Sequence, residues 1–250
     1  LSLIGILVLI AFMVAVVAFI VYMERAQRRI PVQYAKRMVG RKVYGGQSTY
    51  LPLRVNTAGV IPVIFASSLM ALPATAAQMF QATWLQKFAD QVAWGQPLHY
   101  LLYVVGIVFF SYFYISIIFN PVDLAENMRK YGSFIPGIRS GKRTAEYIDR
   151  VLTRISLVGA AYLALVSVLP DFLLNGIRLQ NLPWIGPAID PYVPQWVTQG
   201  MGINFYFGGT SLLIVVGVAM DTVAQVEAQL IMRHYDGFTG KGGKRIRGRR

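Results

Sequence analysis

Few side chains in this 250-residue chain could make or break a bond, and nothing in their spacing brings them together. There is no cysteine, so disulfides and thiolate metal sites are unavailable. The two histidines, His99 and His234, stand far apart. His99 reads as an interfacial residue opening an apolar run, and His234 as a solvated residue of the tail. Asp171 and Asp221 fall near the ends of apolar runs whose interiors hold no Asp, Glu, Lys or Arg. An intramembrane hydrolase needs a carboxylate pair, a zinc-binding histidine pair or a nucleophile with its base. Ion-coupled transporters and proton relays usually carry ionisable groups at mid-membrane depth. The expectation is no catalytic residue, no metal ligand, no cofactor, and so no enzyme.

What remains is recognition by cations. Arg139 follows Pro136-Gly137, a strong turn signal that sets a guanidinium at the tip of a stiff loop. A guanidinium there can make bidentate bonds to carboxylate or phosphate. Earlier in the chain, from 24 to 54, basic residues alternate with apolar ones such as Ile30, Val32, Tyr34, Val39 and Val43. That pattern reads as short extended segments or an extended hairpin, with a turn at Gly45-Gly46.

These loops are held by apolar runs. The chain is 55% hydrophobic and 14% charged, where a soluble domain carries about a quarter charged residues. Five runs, at about 1–23, 55–79, 98–119, 155–174 and 203–220, have the length that crosses roughly 30 Å of hydrocarbon as helix. The ten-residue alternation of barrel strands is absent. The expected fold is all-α, a polytopic membrane protein of five spans forming one membrane domain over 1–250. The chain begins inside the first run without an initiator Met, a charged n-region or a cleavage site, so it reads as part of a longer protein and not as a signal peptide.

Orientation follows from Lys and Arg. Eight fall between the first two runs, one (Lys87) in the second connection, and seven in the third. One (Arg178) falls in the fourth connection and seven in the tail. Alternate segments therefore hold 22 of 24, which assigns the loops 24–54 and 120–154 and the tail 233–250 to the cytoplasm. All four Trp (Trp84, Trp94, Trp184, Trp196) lie on the opposite, outer side. Bare topology signals and anionic-lipid contacts need only a few basic residues. Loops of about thirty residues with a Pro-Gly tip point to a docked partner. Within 120–154, Pro121 starts a short polar helix over 123–131. After the turn another helix begins near Thr144 and runs into the fourth span.

The second run differs from the others in carrying Asn56, Thr57, Gly59, Pro62, Ser67, Ser68, Pro73, Thr75 and Gln78. Ser and Thr can bond back to their own helix, but with Asn56 the run reads as a helix that lines a cavity or moves. A channel for a large polymer needs no ionisable group. It needs a constriction, and aliphatic side chains can seal one by excluding water.

Several strings then carry a specific resemblance. Glu24 to Ile30, Tyr34 to Arg37, Gln47 to Asn56 and Ala58 to Ser68 resemble the bacterial SecY family. So do Phe119-Asn120-Pro121, Phe134 to Arg139, Tyr147-Ile148-Asp149 and Phe205 to Ile214. The resemblance covers nearly the whole chain except the outer loop, and matches the C-terminal half, helices six to ten of ten. It implies a clamshell of two pseudo-symmetric halves around an hourglass pore that opens sideways to lipid. The function implied is a channel that passes unfolded preproteins across the membrane and releases transmembrane segments into lipid. Ile64 and Ile214 would be this half's part of the pore ring. Asn56, Ile61, Pro62, Phe65, Ser67, Ser68 and Leu72 would belong to the lateral gate, with Asn56 joining a polar cluster of the other half. Arg139 would be critical for the motor ATPase SecA. Arg25, Arg28, Arg29, Lys36, Arg37 and Lys42 would join in docking SecA or the rRNA phosphates of the ribosome. Implied partners also include the N-terminal half, SecE, SecG, signal sequences, nascent chains and membrane lipid, in a bacterial inner membrane. Leu72 departs from members with Phe there, and the outer loop 171–204 is longer than expected. Half of a secondary transporter with a broken-helix substrate site is the alternative. A membrane scaffold that only binds cytosolic partners is a third reading.

Overall fold

A computed structural model describes residues 3–34, 37–39, 42–44, 48–176, 198 and 209–239. The Gly45-Gly46 turn, nearly all of the outer connection past Gly176, the first residues of the fifth run and the basic end of the tail lie outside these.

Helix α1, Leu3–Arg25, is uncharged until Glu24. A helix satisfies its backbone internally, which hydrocarbon demands. Strand β1 (Gln27–Tyr34) follows, then the pair β2 (Arg37–Val39) and β3 (Lys42–Tyr44), then β4 (Ser48–Arg54). β1 runs antiparallel to β4 with Ile30 opposite Leu51, and β2 pairs β3 with Arg37 opposite Tyr44. Next come α2 (Ile61–Phe80), α3 (Thr83–Gln91), α4 (Pro97–Ile118) and α5 (Pro121–Lys130). Strand β5 (Ser133–Phe134), α6 (Lys142–Asn175) and α7 (Gly209–Thr239) complete the described chain.

Four helical stretches among the described residues are long and apolar enough to cross a membrane: Ile61–Phe80, Pro97–Lys130, Lys142–Phe172 and Gly209–Met232. The second run thus turns helical only at Ile61, because 55–60 form the connection out of β4. Pro62 sits in the first turn of α2, where its missing N–H has no helical partner to lose. α6 is one continuous helix of 34 residues, and Pro170 lies inside it near its far end. Helix α7 continues to Thr239, so the backbone at His234 is helical. Helix α3 in the second connection had no counterpart in the sequence reading.

Two cores form. Within the spans, Ile20, Val63, Ala66, Tyr103, Ile107, Leu163 and Leu213 bring α1, α2, α4, α6 and α7 together. α6 is the hub, with 61% of its apolar window buried against 17–22% for the other three. Outside them, β1 buries every second residue: Ile30 and Val32 point inward while their neighbours are exposed. They pack with Leu53, Met128, Ile135, Ile148, Val151 and Ile155. β5 adds to the other edge of β1 through Gln33 opposite Phe134 and Tyr34 opposite Ser133, giving the order β4-β1-β5. Pro31 is tolerated in this middle strand because β5 reaches only residues 33 and 34.

One contact joins the two cores closely. A Cβ on Gly159 of α6 would lie 2.5 Å from the Val55 carbonyl oxygen. On Gly106 of α4 it would meet the Ala66 Cβ at 3.5 Å, ordinary packing. In the full-length protein, Gly159→Ala is expected to destabilise by about 1–3 kcal/mol through overpacking, and Gly106→Ala by much less. Thermal unfolding midpoints in detergent check this; equal midpoints would remove the contact from the account.

Candidate functional site

A cavity of about 890 Å³ opens where the end of α1, β4, the 56–60 connection, the start of α2 and α7 converge. Charged residues from three of these elements line it: Glu24 and Arg25, Arg54, and Asp221 with Glu227. Ile64 and Ile214 line the same cavity, from α2 and α7, with 43% and 36% of their surfaces free. Two residues 150 positions apart in sequence thus face one space, beside ionic groups that draw in water.

On α2, Ile61, Ile64, Phe65, Ser68 and Leu72 are exposed and recur at helical spacing along one face. Pro62, Val63, Ala66 and Ala77 are the buried ones. Of the residues expected at a lateral gate, Ile61, Phe65, Ser68 and Leu72 therefore lie on the face that this chain leaves uncovered. Phe65 also stacks on Phe110 of α4, centroids 5.6 Å apart. The hydroxyls of Ser67 and Ser68 both donate to the Ile64 carbonyl, at 2.9 and 2.8 Å. That bonding needs no outside partner and is the ordinary way a span accommodates serine.

Asn56 is placed differently from the other gate residues. It is 6% exposed, and its amide Nδ2 donates to Glu24 Oε1 at 2.6 Å. The resemblance implied partners in the other half; the carboxamide already has one here, at the end of α1. Glu24 was missed as a site residue, although it is the first charge after the opening apolar run.

Arg28, Arg29 and Arg139 fall on one body, whereas Arg37 and Lys42 lie on a separate two-stranded sheet. Arg25, Arg28 and Arg29 are exposed, the latter two on β1 opposite Leu53 and Pro52. Arg37 and Lys42 lie on β2 and β3, and Lys36 is outside the described residues. Arg139 is exposed on the turn between β5 and α6. That turn is held by Ile138 N–H donating to the Ile135 carbonyl at 3.1 Å and Thr144 Oγ1 donating to the Arg139 carbonyl at 3.0 Å. Because β5 pairs with β1, both loops share one sheet and one core.

His99, in the first turn of α4, is buried. Its Nδ1 lies 2.8 Å from the Val92 carbonyl oxygen, and its ring packs on Trp94 at 4.6 Å and Tyr103 at 5.9 Å. Among the described residues no group of three or more His, Asp or Glu side chains could hold a metal ion.

Comparison with known proteins decides the family. A SecY family model matches residues 2–223. The chain belongs to the SecY family. It is 48% identical over 237 residues to the protein translocase subunit SecY of Streptomyces scabiei, covering 92% of this chain and 48% of that protein. The SecY subunit of Pseudomonas aeruginosa is 48% identical over 232 residues, 91% of this chain and 47% of that protein. The chain spans about half the length of these curated SecY relatives. Among solved structures, one on the SecY plug domain and the closed channel aligns with TM-score 0.52 at 17% identity, over 91% of this chain and 50% of that one. A structure of a protein-conducting channel aligns with TM-score 0.52 at 18% identity, over 91% and 49%. At such identities the alignments establish the fold alone, which is that of part of the SecY channel. SecY membership and four apolar helices make this a multi-pass, mainly helical membrane protein. The secondary-transporter alternative gains no support.

Proposed function

We propose that this chain supplies the C-terminal half of a protein-conducting channel subunit in a bacterial inner membrane. The observation that carries this reading is the cavity where Ile64 and Ile214 meet beside charged walls, next to the uncovered face of α2. Apolar side chains from facing helices exclude water and ions, yet yield to a passing chain. The N-terminal half of the same subunit completes the ring, and its helices cover Ile61, Phe65, Ser68 and Leu72 in the closed state. Parting of that seam admits signal sequences and releases transmembrane segments into lipid. The channel itself performs no bond chemistry.

The loops 24–54 and 120–154 and the tail lie on the cytoplasmic side, as the Lys and Arg distribution requires. Their joint sheet presents Arg28, Arg29 and Arg139 to cytosolic partners, SecA and the ribosome, while SecE and SecG flank the spans in the membrane. The five-span count, with α1 as the first, belongs to this reading.

Reconstituted full-length protein tests it. A cysteine at Leu72 paired with one on the facing helix of the other half should crosslink under oxidation. Export of a signal-bearing precursor should then stop and return on reduction. Undiminished export by the crosslinked protein would remove α2 from the gate.

A further inference from the structure

We propose that residues 55–58 form a fixed anchor and Gly59 a pivot about which α2 swings, with Glu24 and Asn56 as positioning residues. This rests on α2 being the moving wall of the gate, and it assigns where the motion is taken up.

The anchor is fastened on several sides. Val55 N–H donates to the Ala26 carbonyl at 3.0 Å, extending the β1–β4 pairing by one bond. The Val55 carbonyl lies against Gly159 of α6, so close that a Cβ there could not fit without a shift. Asn56 is tied to Glu24, thirty-two residues away at the end of α1. Thr57 Oγ1 donates to the Arg54 carbonyl at 2.8 Å. Ala58, 4% exposed, is packed with Ile115 of α4 and Leu152 of α6. Four consecutive residues are thus held by α1, the α1–β1 junction, β4, α4 and α6.

Gly59 breaks with this. Its φ is +62°, and a Cβ placed on it would meet nothing within 4 Å. Glycine is there for its backbone conformation and not for lack of room. Beyond it, α2 buries Pro62, Val63 and Ala66 near the anchor, then no residue until Ala77. Where it crosses α4 close to the anchor, Ala66 faces Gly106 in a smooth contact, beside the stack of Phe65 on Phe110. A rigid root, one permissive residue and a loosely seated arm are the parts of a hinge. A swing of about 10° at Gly59 would carry the far end of a helix about 30 Å long through about 5 Å.

The test uses full-length protein in vesicles, spin-labelled at cysteines replacing Met79 at the far end of α2 and Leu157 on α6, both exposed. Adding a signal peptide should shift the distance between labels by about 5 Å, the displacement of that rigid arm. Gly59→Ala is expected to lose the shift, because alanine disfavours positive φ. Gly59→Asn should keep most of it, since asparagine tolerates that region and the space is open. Asn56→Ala should displace the resting distance without peptide, whereas Glu24→Gln, which retains an acceptor oxygen, should not. A full shift in Gly59→Ala, or an unmoved resting distance in Asn56→Ala, would overturn the pivot. So would an unchanged distance in the parent protein that nevertheless exports precursor. Absence of precursor export by the parent protein would instead refute the channel reading itself.

Discussion

Ile214→Asn in the full-length protein is expected to raise ion leak through the resting channel by about tenfold or more. Ile64→Asn should do the same. Each isoleucine lines the cavity and leaves more than a third of its surface free, so a constriction closed by such side chains makes hydration costly at that point. An Ile side chain differs from a polar one by about 1.5–3 kcal/mol in its preference for an apolar setting, and 1.4 kcal/mol is a factor of ten. A carboxamide offers water two N–H donors and two acceptor lone pairs at the point where water should find none. The same change should relax signal stringency, because a wet constriction opens with less help from the signal sequence. Leak is read as dissipation of an ion gradient in reconstituted vesicles, and stringency as export of precursors with weakened signals. Unchanged leak and stringency in both variants would take these residues out of the constriction. Ile64→Leu keeps the apolar surface and should stay near the parent level.

Arg139→Glu is expected to abolish SecA-driven export, and Arg139→Lys to slow it by about tenfold, the loss of one charge-assisted bond of about 1.5–3 kcal/mol. Its backbone is bonded to Thr144, which is 2% exposed, and Ile135 anchors the preceding turn in the sheet core. The side chain therefore leaves from a fixed point. Lysine keeps the charge but loses the planar fork that grips carboxylate or phosphate at two points. A diffuse lipid contact would not register that difference. Arg28 and Arg29, exposed on β1, with Lys36 and Arg37, should instead show additive, salt-sensitive losses in ribosome binding, as phosphate contacts do. Export rates for Arg139→Lys beside Arg178→Lys in the outer connection make the comparison. Equal parent-level rates would reduce Arg139 to a topology charge. Membrane insertion should stay intact in every variant, since two dozen basic residues share the work of orientation.

Much of this protein is determined by sequence alone. Uninterrupted apolar runs must become helices in hydrocarbon, because no other open structure satisfies the backbone there. Alternate loops carry nearly all the basic residues, so an orientation is expected before any coordinates. Strings such as Ala58 to Ser68 are specific enough to point to a family before any fold is drawn.

The tertiary structure alone decided which of these residues meet. That Asn56 pairs with Glu24 depends on the end of α1 and the end of β4 lying side by side, a contact between residues far apart in the chain. That the two basic loops form one body depends on two pairings at 33–134 and 34–133, too short to leave a pattern in sequence. Ser67 and Ser68 could line a cavity or bond back to their own helix; the structure shows both hydroxyls spent on the Ile64 carbonyl. Both outcomes were compatible with the same letters, since hydroxyl bonding is set by rotamer and neighbour. The ends of α2 and α7 shifted for a related reason. Hydropathy reports where lipid could lie, whereas a helix starts and stops where its backbone finds other bonds, as Val55 does on Ala26. Local chemistry is written residue by residue; proximity between distant segments is the product of packing, and only the folded chain contains it.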